Sequence, residues 1–459
     1  MTAVHPPKMD RLLDSIGAKA LITEYGRRAA KKALREVLAS SVERWRNGDK
    51  MPCEETVIAA ARSRLKESFR PVLRRVVNGS GVVLHTNLGR APIPGEAFSR
   101  ASEQLSGYSD LEIDLDADRR GHRGLRIERY FQDLLDTNYR TIVVNNNAGA
   151  VLLLLNTLAF GRECLVSRGE LVEIGGGFRM PEVMLASGSI LKEVGTTNRT
   201  RIVDYENACG EESGLLLKVH TSNYRVLGFT ETVSLEELTA LGKKTGLPVG
   251  FDLGSGMVME EIPPALSGEP TVRSALASAP DAITFSADKL LGGCQAGIIL
   301  AKPGVAERFR TNPLLRALRV DKNTYFLLGE ILDLYRRGRE NEIPAIAMLK
   351  RSAKTLREQA EKLASRLENL VPGLFDIEVA EAEGRVGAGS APLTPLSSPA
   401  LSIIPVGGGA GALSAFLRTG GEPPILTVIS NDRVLIHLRT LLESDEELLL
   451  KRLCSYKEV

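Results

Sequence analysis

Residues 284–297 read Thr284-Phe285-Ser286-Ala287-Asp288-Lys289-Leu290-Leu291-Gly292-Gly293-Cys294-Gln295-Ala296-Gly297. The apolar run that opens this stretch, 282–286, predicts a strand buried on both faces. A lysine comes just after it, and a Gly-Gly turn follows the lysine. Most lysines are solvated surface charges. A lysine between a buried strand and a glycine turn is instead a candidate nucleophilic amine, because burial and nearby cations favour its uncharged form. Ser286-x-x-Lys289 also fits the Ser-x-x-Lys of β-lactamases. Neither S-D-N nor K-T-G accompanies it, so that reading is discarded.

Working outward, short β-branched runs alternate with helical stretches at 81–85, 141–145, 164–167, 190–194, 215–220, 248–253, 282–286 and 297–301. Many are apolar throughout rather than alternating. Strands of that kind, joined by helical crossovers, make a mostly parallel α/β sheet. Such sheets bind ligands beyond the carboxyl ends of their strands. Two further segments fall there. In Asn145-Asn146-Asn147-Ala148-Gly149-Ala150 a strand passes into a helix, and small residues let backbone amides close on a phosphate. The plainer alternative is a tight helix-packing turn. In Phe251-Asp252-Leu253-Gly254-Ser255-Gly256 an aspartate ends an apolar strand and would face the crevice; the plainer alternative is a cap on the next helix.

Taken together, a phosphate turn, a strand-end aspartate and a lysine 37 residues later are what an aspartate-aminotransferase-like pyridoxal 5'-phosphate fold (fold type I) needs. Lys289 would hold the aldehyde, and Asp252 would keep the pyridine nitrogen protonated. Ala148, Gly149, Ala150 and Ser286 would hold the 5'-phosphate.

Three domains are expected: a helical one over 1–72, a large α/β domain over 73–345, and a small C-terminal α+β domain over 346–459. In the first, 10–46 reads as one or two amphipathic helices broken at Gly17 and Gly26, and 54–69 as another, ended by Pro71. Residues 1–80 carry 17 Lys and Arg against 9 Asp and Glu, a net +8, whereas the other 379 residues are at −6. The cluster Arg27, Arg28, Lys31, Lys32 and Arg35 puts several cations on one helix face, opposite Leu34, Val37, Leu38, Val42 and Trp45. Such a face reads as a polyanion surface or, equally, as an ordinary solvated one. Residues 304–372 read as mainly helical. Strands follow at 375–379, 401–405, 426–430 and 434–438, with helices at 411–418 and 444–455. The Gly/Ser/Pro-rich stretch 384–399 reads as a mobile loop.

Other classes fall away. No run reaches the ~18 apolar residues of a membrane span, and the N-terminus is not a secretory signal. Five dispersed cysteines with no C-x-x-C, and five histidines with no H-E-x-x-H, offer neither a disulfide framework nor a metal site. A soluble cytoplasmic protein is the expectation.

Several stretches resemble bacterial selenocysteine synthases, the L-seryl-tRNA(Sec) selenium transferases. They are RVVNGSGVVLHTNLGRAP at 75–92, GELVEIGGGFR at 169–179, EVGTTNR at 193–199, HTSNY at 220–224 and the Lys289 segment. The resemblance covers essentially the whole chain. It implies a fold-type-I enzyme whose N-terminal domain binds selenocysteine tRNA, and it matches Lys289 to the cofactor lysine. It implies conversion of L-seryl-tRNA(Sec) to L-selenocysteinyl-tRNA(Sec) through a cofactor-bound aminoacrylate, with selenophosphate as donor. Arg90, Arg316 and Arg319 fall where the family has arginines proposed to hold the donor's anionic group. Arg316 and Arg319 are also three apart, which would set both on one helix face. The resemblance further implies a homodecamer, with Thr196, Thr197, Asp204 and Tyr224 in regions used between dimers. Two rivals are a lyase or aldolase acting on a small amino acid or amino sugar, and a catalytically inert tRNA-binding protein on the same fold.

Overall fold

The computed structural model describes residues 6–50, 52–175, 177–391 and 394–456. Outside these lie residues 1–5 of the expected helical domain, Gly176 of the 169–179 stretch, and Pro392 and Leu393 of the 384–399 stretch. The chain forms two compact units, Met1–Arg75 and Val76–Val459.

The first unit holds the helices Met9–Asp14, Ile16–Tyr25, Arg27–Arg46 and Glu54–Ser68. Leu12, Leu21, Leu34, Val37, Val57, Ala61 and Leu65 close its core, one apolar stripe from each helix. Arg27, Arg28, Lys31, Lys32 and Arg35 are exposed. Gly26 separates two helices with a φ of 83°. Gly17, expected as a second break, lies inside a helix. The turn falls at Ser15, whose hydroxyl accepts the Ala18 amide at 3.2 Å. Gly17 serves packing instead, since a Cβ there would fall 2.9 Å from the Ile58 side chain.

The second unit is built on a seven-stranded sheet. Its order is Arg140–Val144, Gly297–Ala301, Ala282–Ser286, Val249–Gly254, Ser213–Val219, Glu163–Ser167, Ile190–Val194. Gly297–Ala301 runs antiparallel to both neighbours, and the remaining pairings are parallel. Alternate strand residues enter two separate cores. Leu216, Phe251, Ile283 and Ile298 join one, and Leu215, Leu217, Ala282 and Ile299 the other. This double burial is why the strands read as continuous apolar runs. The helix Asn147–Ala159 buries Val151, Leu153, Leu154, Leu155 and Leu158, an apolar surface wide enough to require cover on most sides.

Two expectations about strands are corrected. Residues 81–85 do not join the large sheet. Val82–Leu84 pairs in parallel with Glu383–Gly387, which also pairs with Leu396–Ser397. The stretch 384–399 is therefore partly strand rather than a free loop. Its glycines permit close approach: a Cβ on Gly384 would sit 2.7 Å from the Gly81 carbonyl oxygen, and one on Gly387 2.7 Å from that of Leu84. The expected strand 426–430 is divided. Ile425–Leu426 pairs with Val77–Asn78, while Val428–Ser430 joins Phe375–Ala380, Ala400–Pro405 and Arg433–His437 in a four-stranded sheet. The helix Ala353–Leu370 contributes Leu356, Leu363 and Leu367 to the core of that sheet. Among the described residues no helix is long and apolar enough to cross a membrane, and no group of three or more His, Cys, Asp or Glu could hold a metal ion.

Candidate active site

Asp252 sits at the carboxyl end of a central strand, in register with Thr284 and Val219 of its neighbours. Its carboxylate is buried and caps no helix. It accepts hydrogen bonds from Asn147 Nδ2 at 2.9 Å and Thr284 Oγ1 at 3.0 Å. Burial raises its pKa above the usual carboxylate range, and those two bonds, Lys289 and His220 work against the rise.

Lys289 lies three residues beyond the strand Ala282–Ser286, and only 5% of it is exposed. Among the described residues it has no ion-pair partner. Burial lowers its pKa below the ordinary lysine value. Asp252 opposes that shift, whereas the Arg90 guanidinium adds to it. The turn is pinned from below: the Leu290 amide donates to the Ser255 carbonyl at 3.0 Å, and the Gly293 amide to that of Ala287 at 2.8 Å. Gly292 takes a φ of 75°, which a side chain would strain.

The third part is the amino end of the helix Asn147–Ala159. The Asn146 side chain caps it by accepting the Gly149 amide at 2.8 Å. A Cβ on Gly149 would lie 2.8 Å from Asn145 Oδ1, so this approach requires glycine. Ala150 is turned into the core, and its amide donates to the Asn146 carbonyl at 3.0 Å. It therefore has no group to offer a phosphate. Among the described residues the amides of Asn147 and Ala148 take no partner and are the ones left to do so. Ser286 is buried at the end of its strand.

The three arginines are not equivalent. Arg90 takes a φ of 62° and donates from Nη1 to Asp288 Oδ2 at 2.6 Å, directly beside Lys289. Its Nε is buried and, among the described residues, has no partner. The helix expected to align Arg316 with Arg319 is only Leu314–Ala317. Arg319 lies beyond its end, in a bridge with Val144, so the shared helix face is not formed. The Asn145 amide donates to the Leu318 carbonyl at 3.0 Å, which ties this segment to the phosphate turn. Arg319 lines a cleft of about 400 Å³ together with Arg120, Arg123, Arg310 and Glu112. Arg316 is exposed and touches none of the other site residues through a hydrogen bond or ion pair. Elsewhere, Thr196 and Thr197 are exposed, and the Asp204 carboxylate accepts the Arg201 amide at 2.8 Å as a local helix cap. The Tyr224 hydroxyl donates to the Gly169 carbonyl.

Sequence reasoning missed Asn147, Thr284 and Ser255 as partners of this site. Asn147 carried a faint signal, as the polar residue just ahead of the small and apolar run 148–155. The role of Thr284 depends on strand register, which no local pattern reports.

A model of the L-seryl-tRNA selenium transferase family matches residues 76–442, and one described as the selenocysteine synthase N terminal matches 7–40. The chain belongs to the L-seryl-tRNA selenium transferase family. The L-seryl-tRNA(Sec) selenium transferase of Carboxydothermus hydrogenoformans is 43% identical over 443 residues, covering 96% of this chain and 94% of that one. The enzyme of the same name from Geobacter metallireducens is 44% identical over 445 residues, 96% of each chain. Among solved structures, that of D-glucosaminate-6-phosphate ammonia-lyase superposes with a TM-score of 0.56 at 16% identity, covering 83% of this chain and 95% of that chain. At that identity the likeness is one of fold.

This family member is a pyridoxal phosphate-dependent transferase. Its residues fit that cofactor. Asn147 Oδ1 and Ser255 Oγ are buried polar atoms with no partner among the described residues. The amine of Lys289 is held toward its uncharged form. Among the described residues no lysine or arginine forms an ion pair with the buried Asp252 carboxylate, and a protonated pyridine nitrogen would suit it.

Proposed function

We propose that this chain converts L-seryl-tRNA(Sec) to L-selenocysteinyl-tRNA(Sec) with selenophosphate as the selenium donor. One observation carries the catalytic reading: a buried lysine of lowered pKa beside a buried strand-end aspartate, next to a helix amino terminus with free amides. Bound pyridoxal phosphate supplies a carbonyl for an amine and a ring that accepts electrons from the seryl Cα. In this reading the Asn147 and Ala148 amides, with Gly149 and Ser286 around them, hold its phosphate. Asp252 keeps a proton on the ring nitrogen, and Asn147 and Thr284 hold the carboxylate in place. The Lys289 amine takes the Cα proton and later returns it, a task suited to an amine that burial keeps uncharged.

The donor's anionic group is assigned to Arg90 and Arg319, with Arg316 as a further contact. Arg90 is the best supported, because Asp288 fixes it beside Lys289 and its Nε is unpaired. Guanidinium groups suit such an anion through paired N–H donors. The Met1–Arg75 unit is assigned to tRNA. Arg27, Arg28, Lys31 and Arg35 are exposed and, among the described residues, make no ion pair, which leaves their charge available to phosphates. The same unit argues against a lyase or aldolase acting on a small free substrate, which needs no such surface. A homo-oligomer, of ten copies in the family, and a cytoplasmic location complete the proposal.

The test is selenium transfer from selenophosphate to seryl-tRNA(Sec), with free serine in parallel. Product on the tRNA alone supports the reading. Turnover of free serine with no product on tRNA would move the chain to the rival class.

A further inference from the structure

Glu269 is not used by the chemistry above, yet its side chain is only 2% exposed. One oxygen, Oε2, lies 3.0 Å from His220 Nε2, and the other accepts the Ala391 amide at 3.0 Å. Among the described residues no lysine or arginine pairs with it. A carboxylate in its ionised form only accepts, and facing one the Nε2 of His220 is the donor. The His220 amide donates to the Asp252 carbonyl at 2.9 Å, and the charge state of its ring is felt by the Asp252 carboxylate. Ala391 belongs to a second, unusual feature. Gly387, Ala388, Gly389 and Ala391 take φ values of 90°, 52°, 72° and 46°, a left-handed path that alanine rarely follows. The Ser390 amide closes this strap on the Gly387 carbonyl at 3.0 Å, and Gly389 packs so closely on Asn223 that a Cβ would fall 3.1 Å from it. The Ser390 hydroxyl is buried and has no partner among the described residues. A strained strap thus ends on the carboxylate that orients a histidine beside the proposed catalytic pair.

We propose that Glu269 is a positioning residue: one oxygen sets His220 in its Nε2–H form beside Asp252, and the other holds the strap 387–391, so that strap order and the field at Asp252 change together. The inference rests on the reading of Lys289 and Asp252 as the cofactor pair. The charged and titratable groups around this network include Asp252, Lys289, Arg90, Asp288 and His220, and Arg225, whose guanidinium lies against Gly268.

The test uses the full-length, cofactor-loaded enzyme and two readouts other than turnover. One is the pH midpoint of the bound cofactor's visible absorbance, and the other is hydrogen exchange at the amides of 390–391. Glu269→Gln keeps one acceptor where the native residue has two, so either one bond is lost or the His220 ring moves its proton to Nδ1 and accepts from the new amide, which removes the carboxylate's charge and the Nε2–H form together. Either the midpoint moves by about one pH unit, or exchange in the strap speeds up roughly tenfold. Glu269→Ala should do both, and His220→Gln should move the midpoint while leaving the strap protected. Native behaviour of Glu269→Gln on both readouts, or a Glu269→Ala variant that changes only one, would overturn the proposal and leave the Lys289 reading intact. Absence of any absorbance band in the native enzyme would instead remove the Lys289 reading, and this inference with it.

Discussion

In the Met1–Arg75 unit the residues assigned to function, Arg27, Arg28, Lys31 and Arg35, lie exposed along one helix. In the Val76–Val459 unit Lys289 and Asp252 are almost wholly buried, and each depends on a handful of fixed neighbours. The first arrangement works by number. Each exposed cation adds a little, salt screens it, and another can replace it. The second works by desolvation. Removing water makes a lysine nucleophilic and keeps a carboxylate responsive to one proton, and no neighbour can substitute for either. The two units should therefore fail differently under mutation.

The sharpest way to break this contrast is Lys289→Ala. It should abolish the visible absorbance of covalently held cofactor and lower selenium transfer by at least about 10³-fold, with tRNA affinity unchanged in a filter-binding assay. A persisting band would end the assignment of Lys289. Next, Asp252→Asn should leave the cofactor bound but slow turnover roughly 10²-fold or more. Loss of cofactor with native turnover in the remaining loaded fraction would contradict the proton-holding role. A smaller effect is expected when Arg27, Arg28, Lys31 and Arg35 are all changed to alanine. Affinity for the tRNA should fall about 10–100-fold, and the salt dependence should flatten by about 0.7–0.9 for each lost phosphate contact. The cofactor absorbance should not move. An unchanged salt slope would show that this face is merely solvated.

The smallest effect concerns pH and the apo-enzyme. The folded-state pKa of Lys289 lies below its unfolded value. Between the two values the unfolded chain binds more protons, so stability should rise with pH across that window. Lys289→Met should flatten this rise in a series of thermal melts. Asp252 has the opposite sign: its raised pKa means that the folded state holds the extra proton, so its contribution is lost as pH climbs through that range. An identical melting profile for native and Lys289→Met apo-protein would contradict the desolvated lysine.

Much of this site could be read along the chain. Lys289, Asp252 and the 145–150 turn each follow an apolar strand, and ligands gather at strand ends for reasons of backbone geometry alone. What could not be read was any partnership across strands. Thr284 reaches Asp252 because two strands run in one register, and Ser255 supports Lys289 through a backbone bond between segments 35 residues apart. The glycine-rich stretch 384–399 misled for a related reason. Glycine marks both free loops and places where backbones nearly touch, and only the neighbouring strand Val82–Leu84 shows which applies here. Arg316 and Arg319 failed by a turn of helix. Their spacing promised a shared face, but the helix stops at Ala317.

By itself the sequence determined most strands of the large sheet, the lysine and aspartate at their ends, and the surplus of cations in the first 80 residues. Those are properties of hydrophobic period and composition, which act locally. Only the tertiary structure decided that Asn147 and Thr284 hold Asp252, that Arg90 stands beside Lys289, and that Glu269 joins His220 to a strap more than a hundred residues away. Hydrogen bonds of 3 Å between distant segments come from how the sheet closes, and no residue's neighbours in the chain encode that distance.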